Sequence, residues 1–272
     1  MTIENIFNKY KQLLLNGTKY GGDSSIERKS ISASEFNKPL LQLYYRYKYG
    51  IPKQNDIGVN TLGSLIHKGI ETILEQRDDI LTEYGMKYTF DNGWSLTGTA
   101  DIIDKELKTI LDIKFTKHFV GSDMKTKSDY IIANGEKDDY IVQLSVQRYL
   151  WYKETKESYD AGLLLLNKDA GLDFKRGKEV AAFEILDCSD MLLSYNEVES
   201  KFNSLVEKLT YHIENNIVPN ECEDLMFRKF NGKTIKMRCK YCAYNKKCKY
   251  NNSQRMHLQT LLSKLWERNY KW

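Results

Sequence analysis

Three strand-like segments follow one another closely in the middle of this chain. They run from about 84 to 90, from 94 to 104 and from 109 to 116, and only a few residues connect them. Connections that short favour antiparallel pairing, so we predict a three-stranded meander.

Helical periodicity surrounds these strands. The apolar residues of 60–76 and of 138–153 recur at helical spacing. Two further apolar segments, at 161–166 and 179–186, are typical of strands. We therefore predict the α/β class, with a mixed central sheet flanked by helices. The remaining predictions are a helix at 3–15, a helix capped by Ser32 with Glu35 three residues on, a polar loop at 117–137, and helices at 190–215 and 254–269.

The charge balance is only mildly basic. The chain has 272 residues with 41 Lys and Arg against 37 Asp and Glu, a net charge of +4, which permits a nucleic-acid partner without arguing for one. The stretch from Arg228 to Lys249 is basic and suits phosphate contact, although a solvated surface loop is the simpler explanation. The sequence has no run of about 18 apolar residues and no signal-peptide pattern, so we expect a cytoplasmic protein.

The last two strands of the meander carry a group of charged residues. Asp101 lies in one strand, and Asp112 and Lys114 lie in the next. Because side chains alternate along a strand, Asp112 and Lys114 project to one side and Ile113 projects into the core. If the hairpin pairs, Asp101 approaches Asp112. An isolated pattern of this kind is more often a surface ion pair, so its interpretation depends on the surrounding sequence.

Such a group supports phosphodiester hydrolysis. Two close carboxylates and the Ile113 carbonyl are oxygen ligands of the kind that Mg²⁺ prefers. A bound cation lowers the pKa of its water and stabilises charge on a phosphate. Lys114 is then placed to orient the attacking water or to stabilise the developing negative charge.

Four segments in order give this group its context. They are SASEFNKPLLQLYYRYKYGI at 32–51, GSLIHKGIE at 63–71, GTADIID followed by LDIKFTK at 98–117, and YIVQLSVQRYLW at 140–151. The series resembles the RecB-like branch of the PD-(D/E)XK nucleases. That branch includes the nuclease domains of RecB and AddB, the CRISPR-associated RecB-like exonucleases and phage relatives. The resemblance implies a restriction-endonuclease-like core.

The resemblance also implies roles for the matching residues. His67, Asp101 and Asp112 match metal ligands of the branch, together with the Ile113 carbonyl. Lys114 matches the lysine of the (D/E)-x-K pair and completes the catalytic set.

Three more residues on the two helices stand near this set. Gln143 matches the glutamine of a Q-x-x-x-Y motif that contacts DNA and orients the active site. The fourth residue after it is Gln147 rather than Tyr, so that tyrosine's DNA contact is not carried over. Glu71, one helical turn after His67, would be an additional acid near the metal.

Four of the five cysteines gather near the end of the chain. Cys239, Cys242 and Cys248 resemble the C-terminal cysteines of the iron–sulfur members of the branch, and Cys222 replaces the ligand that those members carry before the core. Four thiolates hold either a [4Fe–4S] cluster or Zn²⁺, and spacing does not separate the two. Unligated thiols in a basic loop are the alternative.

These features predict a Mg²⁺- or Mn²⁺-dependent deoxyribonuclease. The resemblance implies exonuclease action in DNA recombination, repair or phage DNA processing. High usage of Lys, Asn, Ile and Tyr suits a phage or a low-GC bacterium, so we expect a bacterial cell or a phage-infected host. The resemblance also implies DNA as the partner, with a recombinase or helicase beside it. A structure-selective endonuclease and a DNA-binding scaffold without turnover are the alternatives. We expect an N-terminal helical segment at 1–58, a nuclease core at 59–187, and a helical and cysteine-containing region at 188–272.

Overall fold

A computed structural model gives the structure of residues 29–50, 59–120, 125–173 and 178–220, together with 222, 227–230, 233–236, 242, 244 and 248. The helices predicted at 3–15 and 254–269 lie outside these residues. Among the helices that the structure describes, none combines the length and the apolar character needed to cross a membrane.

The described residues form five α-helices and twelve strands, which short 3-10 turns and loops connect. The helices are α1 Leu40–Tyr49, α2 Val59–Leu74, α3 Lys127–Asn134, α4 Asp139–Thr155 and α5 Tyr195–Glu214. The strands are β1 Ser30–Ser32, β2 Ile80–Thr89, β3 Ser95–Asp104, β4 Thr109–Thr116, β5 Phe119–Val120, β6 Lys125–Thr126, β7 Asp160–Asn167, β8 Gly171–Asp173, β9 Lys178–Val180, β10 Phe183–Asp187, β11 Phe227–Phe230 and β12 Lys233–Lys236.

The predicted meander is confirmed, since β2, β3 and β4 pair antiparallel. β4 then pairs in parallel with β7, and β7 pairs antiparallel with β10, so the six-stranded sheet is mixed. β2 runs along the length of β3, so β1 and β4 share the other edge of β3. β1 occupies that edge at 95–97 and β4 occupies it at 102–104. Among the described strands, none pairs with the stretch of β3 between them on this edge.

Helix α4 packs on the sheet and is buried along most of its length. β7 contains four consecutive leucines at 163–166, the continuous apolar pattern of a strand that is covered on both faces. Asp112 and Ile113 are neighbours on β4 and point to opposite faces, and both are buried. The sheet is therefore covered on both sides where the candidate site lies.

Four local predictions differ from the structure. The Ser32–Glu35 pair caps only a short 3-10 turn at Ala33–Glu35, and α1 begins after Pro39. The loop predicted at 117–137 contains α3, which a Thr126–Asp129 capping box starts. The strand predicted at 179–186 is divided into β9 and β10. The helix predicted from 190 begins at Tyr195, because Ser194 and Glu197 exchange capping hydrogen bonds there.

The chain divides into two compact units. The first contains the six-stranded sheet, helices α2 to α4 and the part of α5 up to Val206. The second contains α1, the end of α5, the β11–β12 hairpin and the described C-terminal cysteines. Within the second unit, Tyr244 donates a hydrogen bond to the Gly50 carbonyl (3.0 Å) and packs near the Tyr45 ring. The division of the chain at residues 59 and 188 stays a prediction.

Candidate active site

Strands β3 and β4 separate at the residues that carry the acidic group. Their pairing ends at Ile102 and Leu111, while β4 continues beside β7 as far as Thr116. Asp101 and Asp112 are the next residues on the two strands after the last pair. The separation opens a wedge between the strands, and backbone groups inside it need partners other than a neighbouring strand.

Side chains supply those partners. The Asp101 carboxylate accepts the Ile113 N–H through Oδ2 (2.6 Å). Gln147 on α4 donates from Nε2 to the Thr99 carbonyl (2.8 Å). The wedge is thus bridged by an aspartate from one strand and a glutamine from the helix above it. Gly98 lies next to this bridge in a tightly packed place, since a Cβ there would lie 3.0 Å from Leu150 Cδ1 and 3.4 Å from Ala33 Cβ.

Asp112 is held on both oxygens. Oδ1 accepts hydrogen bonds from Nε2 of Gln143 (2.7 Å) and from Nε2 of Gln147 (3.1 Å), and Oδ2 forms an ion pair with Lys114. Lys114 also donates to Oε1 of Gln143 (3.3 Å). Only 1% of the Asp112 side-chain surface is exposed, against 19% for Lys114. The carboxylate is therefore fixed in orientation, and the lysine is its link to the solvent side.

The lysine keeps its charge in this setting. Burial acts to lower the pKa of Lys114, but Asp112, together with Asp101 and Tyr140, outweighs it and raises that pKa above its ordinary value. Lys114 is thus protonated at neutral pH. It is a hydrogen-bond donor and a positive charge rather than a base.

Helix α2 and strand β2 contribute further ligating groups. His67 lies with Nδ1 3.8 Å from Oδ2 of Asp101. One ligating atom each from His67, Glu83 and Asp101 lies within 4.8 Å of the other two. Glu71, one turn after His67, is buried and pairs with Lys68 (2.9 Å). Three elements of the first unit therefore direct ligating groups to one place.

Glu83 is a candidate ligating residue that the sequence analysis does not single out. The β2–β3 pairs on either side of it, Thr82 with Ile102 and Tyr84 with Ala100, place it directly opposite Asp101, where the pairing is interrupted. Its backbone has a φ of 47°, which is uncommon for a residue other than glycine and is often found at functional sites. The predicted strand began one residue later. Nothing in the sequence alone separates Glu83 from other acids.

The acidic groups repel one another in the absence of a cation. Burial, and then the Asp112 charge, raises the pKa of Asp101 to about 8. Partial burial of its carboxyl, and then the Glu71 charge and a hydrogen bond with Glu71, raises the pKa of Glu83 to about 7. Burial lowers the pKa of His67, which favours the neutral, ligating form of the imidazole. Carboxylates with raised pKa values beside a neutral imidazole fit a hard divalent cation.

The contribution of Asp101 to the stability of the metal-free chain is predicted to fall as the pH rises from about 4 to about 8. A carboxyl whose pKa is higher in the folded chain takes up a proton on folding, so stability falls between its two pKa values. For Asp101 that window runs from the ordinary 3.8 to about 8. Mn²⁺ or Mg²⁺ should offset this loss, so the metal-induced rise in Tm should grow with pH. Thermal unfolding in EDTA and in Mn²⁺ across this range measures it.

The Asp101→Asn variant is the control, because an amide cannot titrate and its metal-free Tm should depend less on pH. A metal-induced rise of the same size at every pH, in the parent and in the variant alike, would place metal binding elsewhere.

Gln147 yields a second prediction. Replacing it with Leu leaves the Thr99 carbonyl without its partner and removes one of the two amides that hold Oδ1 of Asp112. Loss of a group that orients a metal ligand typically costs about 10- to 100-fold in activity or metal affinity. The Ser145→Ala variant is the matched control, since Ser145 is a buried polar residue of the same helix that bonds Ile141 and Leu193 instead. Equal activity losses in the two variants, after Tm is compared, would reduce Gln147 to a packing residue.

The predicted site residues of the first unit lie together. His67, Asp101, Asp112, Lys114 and Gln143 form one connected group, and the Ile113 N–H joins it through Asp101. The role of the Ile113 carbonyl as a metal ligand stays a prediction.

The predicted cysteine ligands lie in the second unit. Cys222, Cys242 and Cys248 are half-buried and form no disulfide among the described residues, and Cys239 lies outside them. Burial, and then the neighbouring Cys248, raises the pKa of the Cys242 thiol. Metal or cluster binding by these thiols stays a prediction.

Comparison with known proteins gives likenesses of fold. No protein-family model matches the chain, and no curated protein matches it. Among solved structures, SSO0001 is similar with a TM-score of 0.52 at 14% identity, covering 89% of this chain and 96% of its own. An alkaline exonuclease from Laribacter hongkongensis has a TM-score of 0.44 at 13% identity, and the match covers 71% of this chain and 94% of that chain. A phage-related exonuclease from Haemophilus somnus 129PT has a TM-score of 0.45 at 12% identity, and the match covers 69% of this chain and 95% of that chain. At these identities the likeness to SSO0001 concerns the fold alone.

Proposed function

We propose that this chain is a divalent-metal-dependent DNA nuclease of the PD-(D/E)XK type. The observation that supports this most is the wedge between β3 and β4. There, a buried Asp112 paired with Lys114 stands beside Asp101, with His67 and Glu83 next to them. A surface ion pair does not explain this arrangement, because Asp112 is buried and both of its oxygens are engaged.

The metal ligands of this proposal are Asp101, Asp112 and His67, with the Ile113 carbonyl and Glu83. A divalent cation bound there supplies a Lewis acid that stabilises charge on a phosphate and makes water a better nucleophile at neutral pH. The raised pKa values of Asp101 and Glu83 support this assignment, because burial and the neighbouring carboxylates disfavour their charged forms, and a bound cation would favour those forms.

The residues of the chain divide the remaining tasks. Protonated Lys114 donates to the phosphate or to the attacking water, so it stabilises the negative charge that grows during the reaction. Gln143 bonds both Lys114 and Asp112 and keeps their relative position. Gln147 fixes Asp112 to the backbone of β3. Pre-orientation of this kind removes reorganisation from the chemical step.

We also propose that the enzyme acts on DNA ends, as the sequence resemblance to the RecB-like branch implies. Its setting would be recombination, repair or phage DNA processing in the cytoplasm of a bacterial cell or infected host, with a recombinase or helicase as a partner.

The four C-terminal cysteines would hold a [4Fe–4S] cluster or Zn²⁺, which would cross-link the segment that carries them. Metal analysis of purified protein for iron and zinc, compared with Cys242→Ala, tests the last point.

Linear and closed circular DNA test the substrate and the mode of attack. We expect Mg²⁺ or Mn²⁺ to support degradation of end-labelled linear DNA, single- or double-stranded, and EDTA to stop it. An exonuclease leaves closed circles intact, while cleavage of circles at a similar rate indicates an endonuclease. DNA binding without cleavage in any metal would favour a scaffold and contradict the proposal.

A further inference from the structure

The helix α3, between β6 and α4, brings a second lysine close to the candidate active site. The Lys127 amine lies 4.7 Å from the centroid of the Tyr140 ring and 5.0 Å from that of Tyr130. The Lys114 amine lies 5.1 Å from the same Tyr140 ring. One tyrosine therefore connects the lysine of the proposed catalytic set to a lysine that the proposed mechanism does not use.

Lys127 differs from a lysine of an ordinary ion pair. Among the residues that the structure describes, its amine has no carboxylate within ion-pair distance and lies over two aromatic rings instead. The nearest acids have other partners, since Asp138 accepts the Tyr140 N–H (2.9 Å) and Asp139 accepts from Asn37 (2.7 Å). Burial lowers the pKa of Lys127, and the charges of Asp138 and Asp139 act in the opposite direction without outweighing it.

Another lysine of the first unit shows the contrast. Lys153 also lies over two tyrosine rings, those of Tyr88 (4.8 Å) and Tyr149 (5.1 Å). It has a carboxylate partner, however, in Glu199 at 3.1 Å. Lys153 therefore has a carboxylate within ion-pair distance, while the similarly placed Lys127 has none among the described residues, although Asp138 and Asp139 act on its charge from farther away.

The position of Lys127 suits the backbone of a DNA strand. The two distances to the Tyr140 ring place the amines of Lys114 and Lys127 within about 10 Å of each other, and B-DNA carries one phosphate per about 3.4 Å of axis on each strand. If Lys114 faces the phosphate that is cut, Lys127 reaches a phosphate close to it on the same strand. An ammonium held over aromatic faces loses little freedom when it binds an anion.

We propose that Lys127, held by Tyr130 and Tyr140, forms a subsite for a DNA backbone phosphate next to the one that is cut. The inference rests on the proposed nuclease function, because the scissile phosphate defines the position of the subsite. The subsite holds the substrate strand in register with Asp112 and Lys114, and it takes no part in bond cleavage.

The salt dependence of DNA binding tests this subsite. Binding is measured with the full chain carrying Asp112→Asn, which stops turnover, and an end-labelled single-stranded or duplex oligonucleotide. Removing one phosphate contact should make the slope of log K against log salt shallower by about 0.7 for a single strand or about 0.9 for a duplex. We expect this change for Lys127→Gln, and we expect Lys127→Arg to keep the slope of the parent.

Lys153→Gln is the matched control, because it also removes a lysine from two tyrosine rings but should leave the salt slope unchanged. With the unmodified active site, Lys127→Gln should raise KM and leave kcat within about twofold, since the lost contact is made equally before and during the reaction. Thermal unfolding of each variant shows whether its fold is retained.

A slope for Lys127→Gln equal to that of its parent, with only a lower Tm, would overturn the subsite and make Lys127 a structural contact between α3 and α4. The nuclease proposal would survive that result if the parent still cleaves DNA. A parent that neither binds nor cleaves DNA would overturn both proposals.

Discussion

Replacing Asp112 with Ala is expected to lower the rate of DNA cleavage by about a thousandfold or more, equivalent to about 4 kcal/mol of lost transition-state stabilisation. Asp112 is the residue at which the proposed metal ligands, Lys114 and the two glutamines of α4 meet. Its loss removes a metal ligand and also leaves Lys114 without its counter-ion. Single-turnover cleavage of end-labelled linear DNA in Mn²⁺ measures the effect.

The same substitution also affects folding, so its control has two parts. Removing one partner of a buried ion pair typically costs about 3–5 kcal/mol, which thermal unfolding will show. Asp112→Asn keeps the shape of the side chain and an oxygen for the glutamine amides, so it should retain more stability while losing the same activity. Asp160→Ala changes an exposed aspartate of the adjacent strand β7 and should cleave like the parent. Substantial cleavage by folded Asp112→Asn would contradict the assignment.

Replacing Lys114 with Met is expected to lower kcat by about 100- to 1,000-fold, the usual cost of losing one donor to a developing negative charge. Unlike the Asp112 variants, this one keeps every proposed metal ligand. Removing its positive charge leaves Asp112 more available to a cation, so Mn²⁺ should still raise Tm, by at least as much as in the parent. Cleavage kinetics and metal-dependent thermal unfolding on the same preparation separate these two effects.

Lys105→Met provides the comparison, because Lys105 is an exposed lysine in the turn between the same two strands. It should behave like the parent in both measurements. Loss of the Mn²⁺ response in Lys114→Met would mean that the lysine supports the metal site itself. Retention of parental kcat would remove Lys114 from the catalytic set.

Much of this site follows from local sequence patterns. Side-chain alternation along β4 places Asp112 and Lys114 together, and the short turn between β3 and β4 brings Asp101 near them. Helical spacing predicts both α2 and α4, which carry His67 and Gln143. These relations depend on residues that are close in sequence, so the two-residue repeat of a strand and the 3.6-residue repeat of a helix are enough to predict them.

Other parts depend on how distant strands pair. Glu83 faces Asp101 only because of the register of β2 on β3 and the interruption within it. Gln147 was expected only as the residue that replaces a tyrosine. Its contact with Thr99 exists because β3 and β4 separate, and a single sequence does not reveal where a pair of strands ends.

The missed helix α3 is a different case, because its signal was local. Thr126 and Asp129 form a capping box with the expected spacing, but the surrounding segment is polar and short. Without α3 the sequence could not place Lys127 beside Tyr140. The proposed phosphate subsite therefore became visible only in the structure.

Titration of metal-free protein with Mn²⁺, followed by the initial rate of nucleotide release from end-labelled linear DNA, tests the central proposal most directly. We predict no release without metal, a saturable rise as Mn²⁺ is added, and complete reversal by EDTA. The His67→Ala variant should need a higher Mn²⁺ concentration for half-maximal rate, because it lacks one ligand. Nucleotide release that is unaffected by EDTA, or a metal response unchanged in His67→Ala and Asp112→Asn, would contradict metal-dependent hydrolysis at this site.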